Sequence, residues 1–400
     1  MLNTALTSSM LLTAAHAAAN VLYVSSYSGK VTTLDLNPDS SPSCGAAGNV
    51  PALKALSSTD GCAGSPSWLT LDHARSTLFC IDEALPSHKG SLASFKTNSD
   101  GTLTTLDKAV TLGGPVSGAL YGQNGSALAV AHYGAGALTT WDVSNPSNLT
   151  LVQSQQYHMD KPGPVADRQN APHPHQTLLD PTRNYILVPD LGADKVYVYA
   201  VTANSLKVTA LPPIVVKAGS GPRHVAFAVR DGKTFMYLVT ELANTIIGYE
   251  VTYPAGGIKF KKLFNIDSHG AGKPVSKTVS AAEILVSPDA KFLIVSSRGD
   301  NTFSIPNFDP ENSANITSDP LINFLINGKT GSLSLIQEAP CGGRYPRQFS
   351  TNKAGTLVAV GQQKDARVVL IQRDPESGKL GDFVGYADVA GEITSVIFNE

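Results

Sequence analysis

Gly221–Asn244, GPRHVAFAVRDGKTFMYLVTELAN, is the stretch that decides how the chain folds. A proline and a charged pair open it, apolar residues alternate through Val225 and Phe227, and Asp231-Gly232 interrupts the run. A second alternating run (Phe235, Tyr237, Val239) then ends on Glu241 in another turn. Period-two alternation on both sides of an Asp-Gly dipeptide is the signature of a β-hairpin. A hairpin brings the outer ends of its two strands together, so Arg223, His224 and Glu241 fall at one end of the unit.

The same hairpin recurs along the chain. First strands are expected from Pro66, Pro115, His173, Pro222, Ala281 and Pro346. Second strands follow in LFCIDEA, ALAVAHYGAG, YILVPDLGAD, MYLVTELANT, FLIVSSRGDN and LVAVGQQKDA, and third strands in LASFKT, LTTWDV, KVYVYAV, IIGYEVT, FSIPNF and RVVLIQR. In most units a turn leads to a fourth strand, as in GTLTTLD, NSLKVTAL and GSLSLIQE. Four short antiparallel strands returning roughly every 50 to 65 residues mark the blades of a propeller.

A further unit is split between the two ends. VLYVSSYSGKVTTLDL near the N-terminus offers second and third strands, and EITSVIFNE at the C-terminus offers a lone first strand. Joining them closes the ring and removes the edges an open sheet exposes. The sequence therefore predicts an all-β, seven-bladed β-propeller over residues 20–400 as one domain, closed by the C-terminal strand. Ser154–Ala171 and Asn307–Leu321 read as loops inserted in or between blades.

Composition narrows the partners. A net charge of −2, only 16% charged residues and no basic block exclude a nucleic-acid partner. Residues 1–19 read as a secretory signal, an apolar core followed by small residues with Ala15-His16-Ala17 at the cleavage pattern. That run is shorter than the roughly 20 residues a bilayer span needs, and no later segment qualifies, so no membrane partner is expected. Export is also favoured by three sequons, at Asn124, Asn148 and Asn315. Cys44, Cys62, Cys80 and Cys341 lack CxxC spacing, which argues against zinc ribbons and thioredoxin chemistry. A Cys44–Cys62 loop clip is the favoured pairing, with the other connectivities and free thiols left open. Oligomeric state is also left open.

In a propeller the start of each first strand and the turn after each second strand lie near the axis. Those positions carry His173, His175, Arg223, His224, Glu283 and Arg347 on one side, and Asp82-Glu83, His132-Tyr133, Asp190, Glu241, Arg298 and Gln363 on the other. A polar axis alone needs no such run of cations and carboxylates, since Pro115-Val116-Ser117 fills the same place in its own unit. His173-x-His175 sets two imidazoles on one strand face, but no cysteine joins them and nearby arginines repel a cation. No metal or cofactor is expected. There is no G-x-S-x-G elbow, P-loop or dinucleotide fingerprint.

GPRHVAF with TELANTIIGYEV, AAEILVSPDAKFLIVSSRGDNTFSI and YPRQFSTNKAGTLVAVGQQ resemble the seven-bladed lactonase family, which includes propeller 6-phosphogluconolactonases and carboxy-cis,cis-muconate cyclases. The resemblance covers essentially the whole chain after residue 19 and implies a cleft at one mouth of the channel with one His, two Arg and one Glu as the catalytic set. By that likeness the catalytic residues are Glu241, His175, Arg223 and Arg298, with His173 as the alternative histidine. His173, His224, Glu283, Arg347 and Gln363 are expected to bind a small lactone or carboxylate substrate. Glu241 is the expected base, unless the arginines depress its pKa, in which case His175 takes that role. The expected function is a secreted lactonase for aldono-lactones. The alternatives are muconate cyclisation, 6-phosphogluconolactone opening, and a non-catalytic propeller that binds glycan or protein.

Overall fold

The computed structural model describes residues 20–37, 50–85, 89–202 and 205–400. The expected signal at 1–19 and Cys44 lie outside them. Seven four-stranded antiparallel sheets make seven blades around an axis. We number them in chain order from the inner strand Pro66–Asp72 (blade 1), through Pro115–Tyr121, Leu178–Leu179, Pro222–Arg230, Ser280–Val286 and Pro346–Thr351, to Ile393–Phe398 (blade 7). In blade 7 the C-terminal strand Ile393–Phe398 pairs antiparallel with Val21–Ser26, so the two ends of the chain share one sheet, as the split repeat predicts.

The second strands are apolar almost without interruption because both of their faces are covered. Val21–Ser26, Thr77–Asp82 and Ala127–His132 are buried at every position. Seven hydrophobic clusters fill the seven gaps between neighbouring blades. The cluster between blades 6 and 7 joins Leu22 and Val24 to Ala359, Leu370 and Val396, so the chain ends are held by packing as well as by backbone hydrogen bonds. A buried aliphatic side chain of this kind contributes about 1.5–3 kcal/mol.

Each inner strand slips its register by one residue just inside the same end. The slip falls at Ser67, Val116, Arg223, Arg347 and Thr394 in five blades, and at Ala282–Glu283 opposite Ser296 in blade 5. In blade 3 it lies between the Pro174–Asp190 bridge and the Leu178–Leu187 pair, the stretch holding His175. A β-bulge relaxes the strict up-down alternation of a strand and re-aims the extra side chain.

Three sequence expectations need correction. Phe303–Ile305 is not the third strand of blade 5; it pairs with Ile316–Ser318 in a small inserted hairpin, and the third strand is Pro320–Ile326. Blade 7 has a fourth strand, Ala55–Thr59, which the sequence reading left out. Cys62 pairs with Cys80 rather than Cys44, and Cys341 is a buried free thiol. The bridge ties the segment leaving blade 7 to the second strand of blade 1, a loop of 18 residues. The Cys62→Ser/Cys80→Ser double variant should lose about 3 kcal/mol of unfolding free energy by urea titration, the closure entropy of a loop this size.

Candidate active site

The bulges set the chemistry at one mouth of the channel. Gly221, at φ 64°, turns the chain into blade 4; a Cβ there would lie 2.5 Å from Leu242, so only glycine fits. The Asp194 carboxylate from blade 3 accepts from the Gly221 amide at 2.8 Å and pins that turn. Arg223 and His224 follow, and the bulge lets these sequence neighbours serve one cluster. At the partner strand's end, the Glu241 amide donates to the Gly221 carbonyl at 2.8 Å, which fixes the glutamate beside them.

Glu241 is buried with both carboxylate oxygens engaged. Its Oε1 lies 2.7 Å from Nη2 of Arg168, and its Oε2 lies 2.9 Å from Nε of Arg223 and 3.0 Å from Nη2 of Arg298. Arg223, Glu241 and Arg298 therefore meet at a single mouth. Burial by itself would raise the Glu241 pKa, but the charges of Arg298, Arg223 and Arg168 override it and hold the carboxyl at about 2. Arg223 is 2% exposed, burial pulls its pKa down to about 9, and its Nη1 has no hydrogen-bond partner among the described residues. Arg298 sits at the rim, donating weakly to the Ser280 and Ala281 carbonyls beside the Tyr345 ring.

The histidines lie beside this cluster, on blades 3 and 4. His175 Nδ1 is 3.2 Å from His224 Nε2, and His224 Nδ1 is 2.7 Å from Glu283 Oε1. Burial first, then the charges of Arg223, His224, Arg347 and Arg298, push the His175 pKa well below the ordinary 6.5. His173 stacks on Tyr133 with ring centroids 4.3 Å apart. Its two nitrogens are taken by the Tyr133 carbonyl and the Asn170 side chain, at 2.9 and 3.0 Å. Of the two candidate imidazoles, His175 is therefore the one with a nitrogen, Nε2, that bonds no described residue.

Arg347 belongs to a second cluster on the same rim. It donates from Nη1 to the Tyr27 hydroxyl at 2.7 Å, and Tyr27 donates to Glu83. Gln363 donates to Glu392 at 2.6 Å, beside the Lys364–Glu392 ion pair. The sequence reading missed Tyr27 and Arg168. Tyr27 occupies the turn position equivalent to Glu83, Glu241 and Gln363, so the repeat could have found it. Arg168 lies on the insertion between blades 2 and 3 and has no repeat equivalent. No group of three metal-ligating side chains occurs among the described residues.

Residues 22–398 match the family model for the lactonase, 7-bladed beta-propeller family. The chain is 31% identical over 317 residues to an Arthroderma benhamiae protein named "Probable 6-phosphogluconolactonase", covering 79% of this chain and 75% of that one. It is 26% identical to the 6-phosphogluconolactonase of Bacillus subtilis, over 79% of this chain and 82% of that one. Among solved structures, the periplasmic gluconolactonase PpgL of Pseudomonas aeruginosa superposes with a TM-score of 0.76 at 25% identity, covering 95% of this chain and 99% of that one.

A carboxylate held below its ordinary value stabilises the fold fully above 4.5 and loses that contribution as pH falls toward about 2. Unfolding free energy of the wild type should therefore drop between pH 5 and 2 with a component that Glu241→Gln lacks. At pH 7 that variant should be less stable by about 3–5 kcal/mol, the usual loss when one partner of a buried ion pair is removed. Urea titrations at several pH values check both.

Proposed function

The chain belongs to the seven-bladed β-propeller lactonase family, and on that premise we propose that it opens unphosphorylated aldono-lactones outside the cytosol. The observation that carries the mechanism is the division of labour at the mouth. Glu241 is committed on both oxygens to three guanidiniums, whereas His175 next to them is kept uncharged with Nε2 unbonded. A carboxylate held at about 2 is a poor base at neutral pH, so the base role passes to His175 and Glu241 orients the arginines.

Lactone hydrolysis adds water to the ring carbonyl, passes through a tetrahedral oxyanion, and expels the ring oxygen as the hydroxyl of the product acid. In this reading His175 Nε2 takes the proton of the attacking water. The rim guanidinium of Arg298 stabilises the oxyanion, with the buried charge of Arg223 behind it, and the proton on His175 then passes to the departing ring oxygen. The Arg347–Tyr27–Glu83 cluster offers donors and acceptors to the sugar hydroxyls. Buried guanidiniums aimed at developing negative charge cost no reorganisation during the reaction, which is why one such donor is worth about 2.7–4 kcal/mol.

Export is supported by the signal-like residues 1–19, by the Cys62–Cys80 bridge, a bond favoured in oxidising compartments, and by three sequons whose asparagines are exposed. The likeness to a periplasmic gluconolactonase favours an unphosphorylated substrate.

Purified protein should accelerate opening of glucono-lactone over buffer, with no change on adding a chelator. Arg298→Met should lower kcat by about 10²–10³-fold, and His175→Asn by about 10²–10⁴-fold. A preference for the 6-phosphorylated lactone would overturn the substrate assignment. Consumption of a carboxymuconate, followed by its absorbance, would move the protein to the cyclising branch.

A further inference from the structure

We infer that His224 and Glu283 are positioning residues that form, with His175, a proton relay along the channel wall from blade 5 through blade 4 to blade 3. The inference rests on the lactonase reading and deepens it by saying how a weakly basic histidine is made to work.

The chain of contacts fixes every hydrogen. A carboxylate only accepts, so at 2.7 Å from Glu283 Oε1 the His224 Nδ1 carries the hydrogen. In an uncharged His224 that leaves Nε2 as a lone pair. His175 Nδ1, 3.2 Å away, must then donate to it, and His175 Nε2 becomes the bare acceptor. Two aromatic rings hold the imidazoles in place edge-on: Trp68 against His224 at 5.8 Å between centroids, and Tyr133 against His175 at 5.7 Å.

The relay answers a difficulty of the site. Arg223 from blade 4, Arg298 from blade 5 and Arg347 from blade 6 all oppose a positive charge on His175, and Tyr133 of blade 2 adds no charge to offset them. Glu283 is the carboxylate at the far end of the imidazole pair, and His224 also feels Arg223 and Glu241. Its Oε2 is buried with no hydrogen-bond partner among the described residues, so Glu283 keeps accepting capacity in reserve. When Nε2 of His175 takes the proton of water, its Nδ1 hydrogen moves toward His224 Nε2, and the His224 Nδ1 hydrogen moves toward Glu283. When the ring oxygen leaves, it takes the proton from Nε2 and the other two shifts reverse. No net proton enters or leaves the relay over a turnover.

Two measurements test this. Nitrogen-15 shifts of histidine-labelled wild-type protein should show His175 protonated at Nδ1 only and His224 at Nδ1 only, with a downfield proton on the latter. Glu283→Gln keeps an acceptor beside His224 but removes the charge. It should lower kcat about 10–100-fold with KM within twofold, lose the downfield proton, and move the acid limb of kcat/KM to lower pH. A His175 protonated at Nε2, or a folded Glu283→Gln protein with wild-type kcat and pH profile, would overturn the relay. The nitrogen shifts need no turnover: the expected tautomers in a protein inactive on every lactone would uphold the relay geometry and remove the lactonase reading instead.

Discussion

The pairing of Ile393–Phe398 with Val21–Ser26 is the constraint on which the rest of the molecule depends. Each blade buries its faces only against its two neighbours, so a ring with a gap leaves two blades half covered. The last strand closes that gap by backbone hydrogen bonds and by the apolar cluster between blades 6 and 7. The Cys62–Cys80 bridge lies next to this seam, where blade 7 hands over to blade 1. Closure also fixes the diameter of the channel mouth, and with it the spacing of side chains contributed by blades far apart in sequence.

That spacing turns isolated residues into a site. Arg168, Arg223 and Arg298 come from an insertion and two blades, yet they converge on one buried carboxylate. Three cations around one anion leave positive charge in excess, the sign that suits an oxyanion. The same excess would disable an unsupported base, and the imidazole pair ending on Glu283 offsets it beside the arginines.

Much of the fold is legible in the sequence because the repeat is written in turns and alternation, which mark the ends of the blades. Where the repeat was broken, the reading failed. Phe303–Ile305 has the alternation of a strand and sits where a third strand belongs, so only the real third strand, Pro320–Ile326, shows it to be an insertion. Cysteine spacing does not encode distance across a sheet, which is why Cys80 was passed over for Cys44. At the site, repeat position places Arg223, Glu241 and Arg298 among the polar residues near the axis, and the likeness to the lactonase family singles them out. The depression of Glu241 is driven by Arg298 and Arg223, as their repeat positions suggest, and Arg168, a loop residue that no periodicity marks, adds to it. Hydrogen placement on His175 was unreadable, because it is decided by Glu283, more than a hundred residues away in the chain.

The register slips have a consequence for how such a protein can diversify. Around the mouth they present Ser67, Val116, Arg223, Arg347 and Thr394 in five blades, Ala282–Glu283 in blade 5 and the stretch holding His175 in blade 3. The extra residue of a bulge is excused from the cross-strand alternation, so its side chain can turn toward the axis without shifting the ladder. Ser67 and Thr394 donate to the Pro115 and Pro66 carbonyls of the next blade and Arg223 is locked to Glu241, whereas Val116 and Ala282 carry no such bond, so the wheel leaves only part of this circle open to rewriting and new specificities must enter there.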